Sequence, residues 1–134
     1  LHDALPIYTS SASAAIHVGA TVKFVDSQPD SHEMDYDAME AAITEKTKAV
    51  IPVDLGGVVC DYDRIYKAVE NKKYLFKSAN DIQKAIGRVA VVADCAHSLG
   101  ASRHGKIAGE IADFSSFSFH AVNVLETEVG EMGL

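Results

Sequence analysis

The stretch ADCAHSLGA, Ala93–Ala101, holds the residues best placed to do chemistry. Asp94 closes an unbroken apolar run, and His97 follows three residues on. Taken alone, the pair reads plainly as a capping aspartate and a surface histidine. A metal set drawn from Asp94, His97, His104 and His120 is a weaker reading, because their spacing matches no tight metal signature. Serines are plentiful, but no G-x-S-x-G elbow is present to raise one as a nucleophile. Neither kind of glycine-rich phosphate loop occurs. Three more polar residues end apolar runs as Asp94 does: Asp26 after Val25, Asp54 after Val53 and His120 after Phe119.

The elements that must position these residues alternate in type. ATVKFVD (20–26) is β-branched and follows Gly19, so a strand is expected. MDYDAMEAAI (34–43) predicts a helix with Asp35 as its N-cap. KAVIPVDLGG (48–57) is a continuous apolar run stopped by two glycines, which predicts a strand buried on both faces. DYDRIYKAVENKK (61–73) places Ile65, Ala68 and Val69 on one helical face, and NDIQKAIGR (80–88) predicts a short further helix. VAVVADCA (89–96) is the clearest buried strand, and FSSFSF (114–119) predicts another. Unbroken apolar strands alternating with helices predict an α/β fold: a mostly parallel sheet with helices on both faces. Ligands gather at the carboxyl ends of such strands, where Asp26, Asp54, Asp94 and His120 stand.

Composition narrows the function. The 134 residues are 48% hydrophobic and 23% charged, as in ordinary globular domains, and they amount to one domain or part of one. A net charge of −7 argues against nucleic acid and against an anionic membrane surface as partners. No apolar run approaches the roughly 20 residues of a membrane span, and the first residues lack the basic start and apolar core expected of a secretory signal. Cys60 and Cys95 have no paired spacing and are expected to be reduced. LHDALPI (1–7) has the look of translated sequencing adapter, so the native text is expected to start near Tyr8.

Three stretches together carry a resemblance: YTSSASAAIHVGATVKFVD, TEKTKAVIPVDLGG and VVADCAHSLGASRHGKIAGEIADFSSFSFHAV. In their order and spacing they resemble the DegT/StrS-type sugar aminotransferases, over about Tyr8 to Val122. The resemblance implies part of the large domain of the aspartate-aminotransferase (type I) fold, with pyridoxal 5'-phosphate as cofactor. It divides the chain into a non-native 1–7, a partial cofactor-binding domain at 8–122 and a divergent end at 123–134. The family's D-x-A-[QH] motif matches Asp94, which is implied to pair with the protonated pyridine nitrogen, and His97, implied to lie near the ring and its phenolic oxygen. Ser118 matches the serine of S-F-H, implied to bond the cofactor phosphate. Tyr8 falls where the family places an aromatic stacked on the ring, and His120 takes a supporting part.

The departure comes next. The family reads S-F-H-A-V-K-N-L-T-T-x-E-G-G, whereas this chain reads SFHAVNVLETEVGE from Ser118. Ungapped, Asn123 holds the position of the Schiff-base lysine; with one deletion the lysine is gone altogether. An amide is neither a base nor a covalent anchor, and loss of a positioned base alone costs ~10²–10⁴ in rate. The match is dense to Val122 and sparse beyond it, which points to an error in the text after that residue. The resemblance implies a cytoplasmic homodimer that moves an amino group, with glutamate as donor, onto a keto group of a nucleotide-linked sugar. This chain is expected neither to transaminate nor to hold the cofactor tightly. The alternatives are a lysine-less relative resembling the sugar dehydratases of the family, which carry histidine there, and a non-catalytic binding homologue.

Overall fold

The computed structural model describes residues 9–119, so Tyr8, His120 and Asn123 lie outside the described residues. Three strands form the central sheet in the order β1 (Ala49–Val50), β2 (Ala90–Asp94), β5 (Phe114–Ser116), all parallel. Their registers pair Ala49 with Ala90, and Val92, Ala93 and Asp94 with Phe114, Ser115 and Ser116. The helices are α1 (Thr9–His17), α2 (Tyr36–Ala42), α3 (Tyr62–Asn71) and α4 (Asp81–Ile86). A parallel sheet connected through helices is the expected α/β class.

Local chemistry explains where the helices begin. The Asp35 carboxylate accepts the amides of Asp37 and Ala38 and so starts α2. Asp61 accepts the Arg64 amide and starts α3, while Asn80 accepts the Gln83 amide and starts α4. Each satisfies an amide that the first helical turn leaves without a partner. Gly87 at φ 71° ends α4 in the left-handed region that glycine tolerates. On α3, Ile65, Ala68 and Val69 are all buried, at 0%, 3% and 0% exposure. With Met39, Val89, Val91, Ala93 and Cys95 they form the core beneath the sheet.

The strands depart from expectation in four places. Residues 20–26 form no strand, and among the described residues no strand lies alongside them. A cleft of about 690 Å³ separates them from β1, with Val22, Phe24 and Val25 on one wall and Ala49, Ile51 and Val53 on the other. The run 48–57 pairs only at β1 and again where Val53 bridges Asp94, because Pro52 between them has no amide to give. It then turns into a short 3-10 segment, Leu55–Gly57, with Gly56 at φ 60° and Gly57 at φ 80°. β2 is not buried on both faces: Val91 and Ala93 are buried, whereas Ala90, Val92 and Asp94 are half-buried. An unforeseen hairpin joins β3 (Ser102–Arg103) to β4 (Lys106–Ile107). Its two-residue turn has His104 at φ 52° and Gly105 at φ 75°, the positive pair that suits a twisted ribbon. No helix among the described residues is long and apolar enough to cross a membrane.

A charged latch sets the register of β5. The Arg88 guanidinium forks onto the two oxygens of Asp113 at 2.7 and 2.8 Å. Asp113 Oδ2 also accepts the Val91 amide at 2.8 Å, tying the residue before β5 to the middle of β2. Arg88 lies over the Tyr66 ring, 4.8 Å from its centroid, and the Tyr66 hydroxyl donates to the Ile111 carbonyl. The Arg88 hydrogen bonds hold the Asp113 carboxyl below its ordinary value. Asp113→Asn is therefore expected to cost about 1.5–3 kcal/mol near neutral pH. Because the folded value is the lower one, that contribution is complete above the unfolded aspartate pKa and fades as pH falls through the folded one. Urea titrations of both proteins from neutral pH into acid check this: the gap between them should stay level down to about pH 4 and then close.

Candidate active site

Asp94 is the last residue of the central strand, and neighbours hold its backbone from both sides. Its amide donates to the Pro52 carbonyl at 2.9 Å, and its carbonyl accepts the Asp54 amide at 3.0 Å. On the other side the next amide, Cys95, donates to the Ser116 carbonyl at 2.8 Å. The carboxylate is half-buried. Oδ1 accepts the Ala96 amide at 3.1 Å, and Oδ2 accepts the hydroxyl of Ser11 from α1. Asp94 thus caps the turn that follows it, as the plain reading proposed, and still has acceptor capacity, since an ionised carboxylate offers about four lone-pair sites.

His97 corrects the plain reading: it is buried, at 6% exposure, not a surface residue. It sits in a turn closed by the Ser98 amide donating to the Cys95 carbonyl at 3.1 Å. Its Nδ1 accepts the Gly56 amide, at 3.4 Å, from the 3-10 segment. Ser118 is half-buried, two residues past Ser116, the register partner of Asp94. Asp94, His97 and Ser118 therefore share one end of the sheet. Asp26 does not join them: its carboxylate is exposed and accepts its neighbour's amide, from Ser27. His104 is spent on the hairpin turn, and among the described residues no three of His, Cys, Asp and Glu gather as a metal set.

Two further participants are Ser11, which the sequence does not mark, and Asp54, which it marks only as a strand-end residue. Ser11 comes from a helix that was not predicted, and nothing in its spacing marks it. Asp54 did carry a signal, since it ends an apolar run just as Asp94 does. It is wholly buried, and Oδ1 accepts the Cys60 amide at 2.9 Å and the Tyr62 hydroxyl at 3.2 Å. Oδ2 accepts the Ser98 hydroxyl at 3.1 Å, with the Cys95 thiol at 3.6 Å. Burial pushes the Asp54 carboxyl above its ordinary value, against the opposing pull of these donors. Burial likewise raises the Cys95 thiol to about 11, and that of Cys60 further still. Both cysteines are free and protonated, so neither is a thiolate nucleophile.

In α/β sheets ligands gather at the carboxyl ends of the strands, which is where this parallel sheet carries Asp94, with His97 and Ser118 in the segments that follow the strands. Comparison makes the class specific. The model of the DegT/DnrJ/EryC1/StrS aminotransferase family matches residues 7–134, and the chain belongs to that family. The fold matches the putative sugar aminotransferase Spr1654 from Streptococcus pneumoniae, in its PLP form, with a TM-score of 0.84 and 56% identity. That match covers 86% of this chain and 29% of the other. Among curated relatives, GDP-perosamine synthase of Caulobacter vibrioides is 33% identical over 93% of this chain and 30% of its own length. The UDP-N-acetyl-3-dehydro-alpha-D-glucosamine 3-aminotransferase of Acidithiobacillus ferrooxidans is 36% identical over 86% of this chain and 28% of its own. The chain thus spans under a third of the length of the relatives it matches.

The approach to Ser118 depends on one close contact. Gly109, at φ +93°, lies so near the Phe117 ring that a Cβ there would stand 2.4 and 2.7 Å from two ring carbons. Gly109→Ala is expected to push Phe117 out of place and to destabilise by about 1–3 kcal/mol. Thermal denaturation of Gly109→Ala, Phe117→Leu and the double variant checks this. The double variant should lose less than the sum of the two single losses.

Proposed function

We propose that this chain is part of the cofactor-binding large domain of an aminotransferase acting on nucleotide-linked keto-sugars, with glutamate as the amino donor. The placement of Asp94 carries the reading: a carboxylate at the tip of the central strand, held on both sides, with acceptor sites to spare. The donor set fits pyridoxal 5'-phosphate, since a carboxylate suits a protonated ring nitrogen and a hydroxyl suits a phosphate. The bound cofactor would supply an electron sink for the charge left on the substrate carbon. Asp94 would grip the ring nitrogen, His97 would stand near the phenolic oxygen, Ser118 would bond the phosphate and Tyr8 would stack on the ring.

Asn123 takes the lysine position in this reading and leaves the chain with neither covalent anchor nor proton carrier. We therefore assign the chain as given no transamination, and attribute the altered end at 123–134 to an error in the text and 1–7 to adapter. The complete protein would be a cytoplasmic homodimer acting on a nucleotide sugar and an amino acid. Its family membership and its similarity to enzymes named for nucleotide-sugar amination support this. A lysine-less dehydratase-like relative would bind pyridoxamine phosphate without covalent capture, and a binding homologue would lack the lysine codon in its gene.

Calorimetry with pyridoxamine phosphate tests the assignment of Asp94. Asp94→Ala should bind at least tenfold more weakly than the parent, the effect of losing one charge-assisted hydrogen bond. Equal affinities would remove Asp94 from the site. Borohydride treatment of the parent with pyridoxal phosphate should leave no label on the peptide spanning 117–134. Resequencing the source gene across Val122 should recover a lysine codon.

A further inference from the structure

The least expected feature of the site is the wholly buried carboxylate behind it. Asp54 touches no solvent, and its two oxygens collect donors from three separate segments. Cys60 ends the loop that follows the 3-10 segment, Tyr62 begins α3, and Cys95 and Ser98 bound the turn that carries His97. The Asp54 amide also closes onto the Asp94 carbonyl. Immediately after Asp54 the chain makes the turn whose Gly56 amide reaches His97 Nδ1 at 3.4 Å. His97 is thereby held at both ends of its turn by one side chain, and at its ring by the segment that side chain anchors. A buried charge is a costly way to gain stability, since a packed apolar group of the same volume often does as well. Its use here fits a demand for geometry.

We propose that Asp54 is a positioning residue: through Ser98, Cys95 and the 55–60 turn, it fixes where the Asp94 carboxylate and the His97 imidazole stand, without touching the cofactor. The inference rests on the cofactor reading for its purpose, but the geometry can be tested without any cofactor. A nitrogen that accepts a hydrogen bond carries no proton, so neutral His97 is held with its proton on Nε2. Asp54→Asn keeps an acceptor for Cys60 and Tyr62 and can donate to the Ser98 oxygen, whereas Asp54→Ala keeps nothing.

The experiment uses the 134-residue chain without cofactor, and reads the His97 ring nitrogens by 15N NMR and hydrogen exchange at the Cys95, Ala96 and Ser98 amides. Asp54→Ala should mix the two His97 tautomers and speed exchange at those three amides roughly tenfold, about what one lost buried hydrogen bond allows. Asp54→Asn should stay within about twofold of the parent, by the same scale. Val69→Ala, a core truncation on α3, controls for general loss of stability and should leave the His97 tautomer as in the parent. If Asp54→Ala does not fold, Ser98→Ala removes one arm of the same tie and should speed exchange in the same direction. A parent-like tautomer and parent-like exchange in Asp54→Ala or Ser98→Ala would overturn the proposal, as would an Asn variant no better than Ala. Pyridoxamine phosphate is then added to each protein. Failure of the parent to bind even weakly would count against the cofactor reading alone and leave the positioning result standing.

Discussion

Three hydrogen bonds around residue 94 decide where everything else in the site can be. Asp94 donates to Pro52, accepts from Asp54 and is followed by Cys95 donating to Ser116. They make the last rungs of a three-stranded ladder, and they fall where the chain stops being strand and starts being turn. A carboxylate on that residue inherits the rigidity of the sheet, with little backbone freedom left to lose when a ligand arrives. The loops at the same end have no ladder of their own. Their order has to be borrowed from side chains, which is what Asp54 and the capping contact of Asp94 to Ala96 provide.

The arrangement sets a buried acid against its own solvation. Asp54 loses all its water and regains two hydroxyl donors, one amide and a thiol contact. The neighbouring thiols respond in kind. Burial, with the carboxylate nearby, holds Cys60 and Cys95 as neutral thiols; that of Cys95 can act as a weak donor to Asp54, while that of Cys60 donates to the Val53 carbonyl. The same burial that makes the cluster rigid makes it chemically quiet. Any influence of the cluster on the strand-end groups therefore passes through the turns it ties together.

How much of this could be read in the residues depends on the range of the interactions involved. Helices α2, α3 and α4 begin where Asp35, Asp61 and Asn80 stand because a cap is a contact over two or three residues, written in adjacent letters. The hairpin at His104–Gly105 is just as local, and a glycine between two short strands is a usable signal for it. Residues 20–26 have strand composition without strand pairing. β propensity describes a side chain's fit to a pleated surface, and the hydrogen bonds need a neighbour that composition does not supply. The burial of His97 and the hydroxyl of Ser11 on Asp94 were out of reach for a similar reason. Both come from segments 41 and 83 residues away, brought close only by the fold. Asp94 itself was legible because an apolar run ending in an acid marks the strand tip.

Register is what brings the carboxylate and the serine hydroxyl to one face. Paired residues on parallel neighbours point to the same side of a sheet, so Asp94 shares its face with Ser116, and Val92 with Phe114. The opposite face carries Val91 and Ala93, both buried in the core. Ser118 follows Ser116 by two, the spacing that returns a side chain to the same face when the chain stays extended. A slip of one residue would turn Ser115 toward Asp94 and carry the Ser118 side away. The fork of Arg88 on Asp113 stands against that slip, because Asp113 also holds the Val91 amide and so counts residues between the two strands. An ion pair distant from the strand tips thus decides which hydroxyl shares a face with Asp94. Its two ends, at 16% and 17% side-chain exposure, are dry enough for the count to be kept in salt.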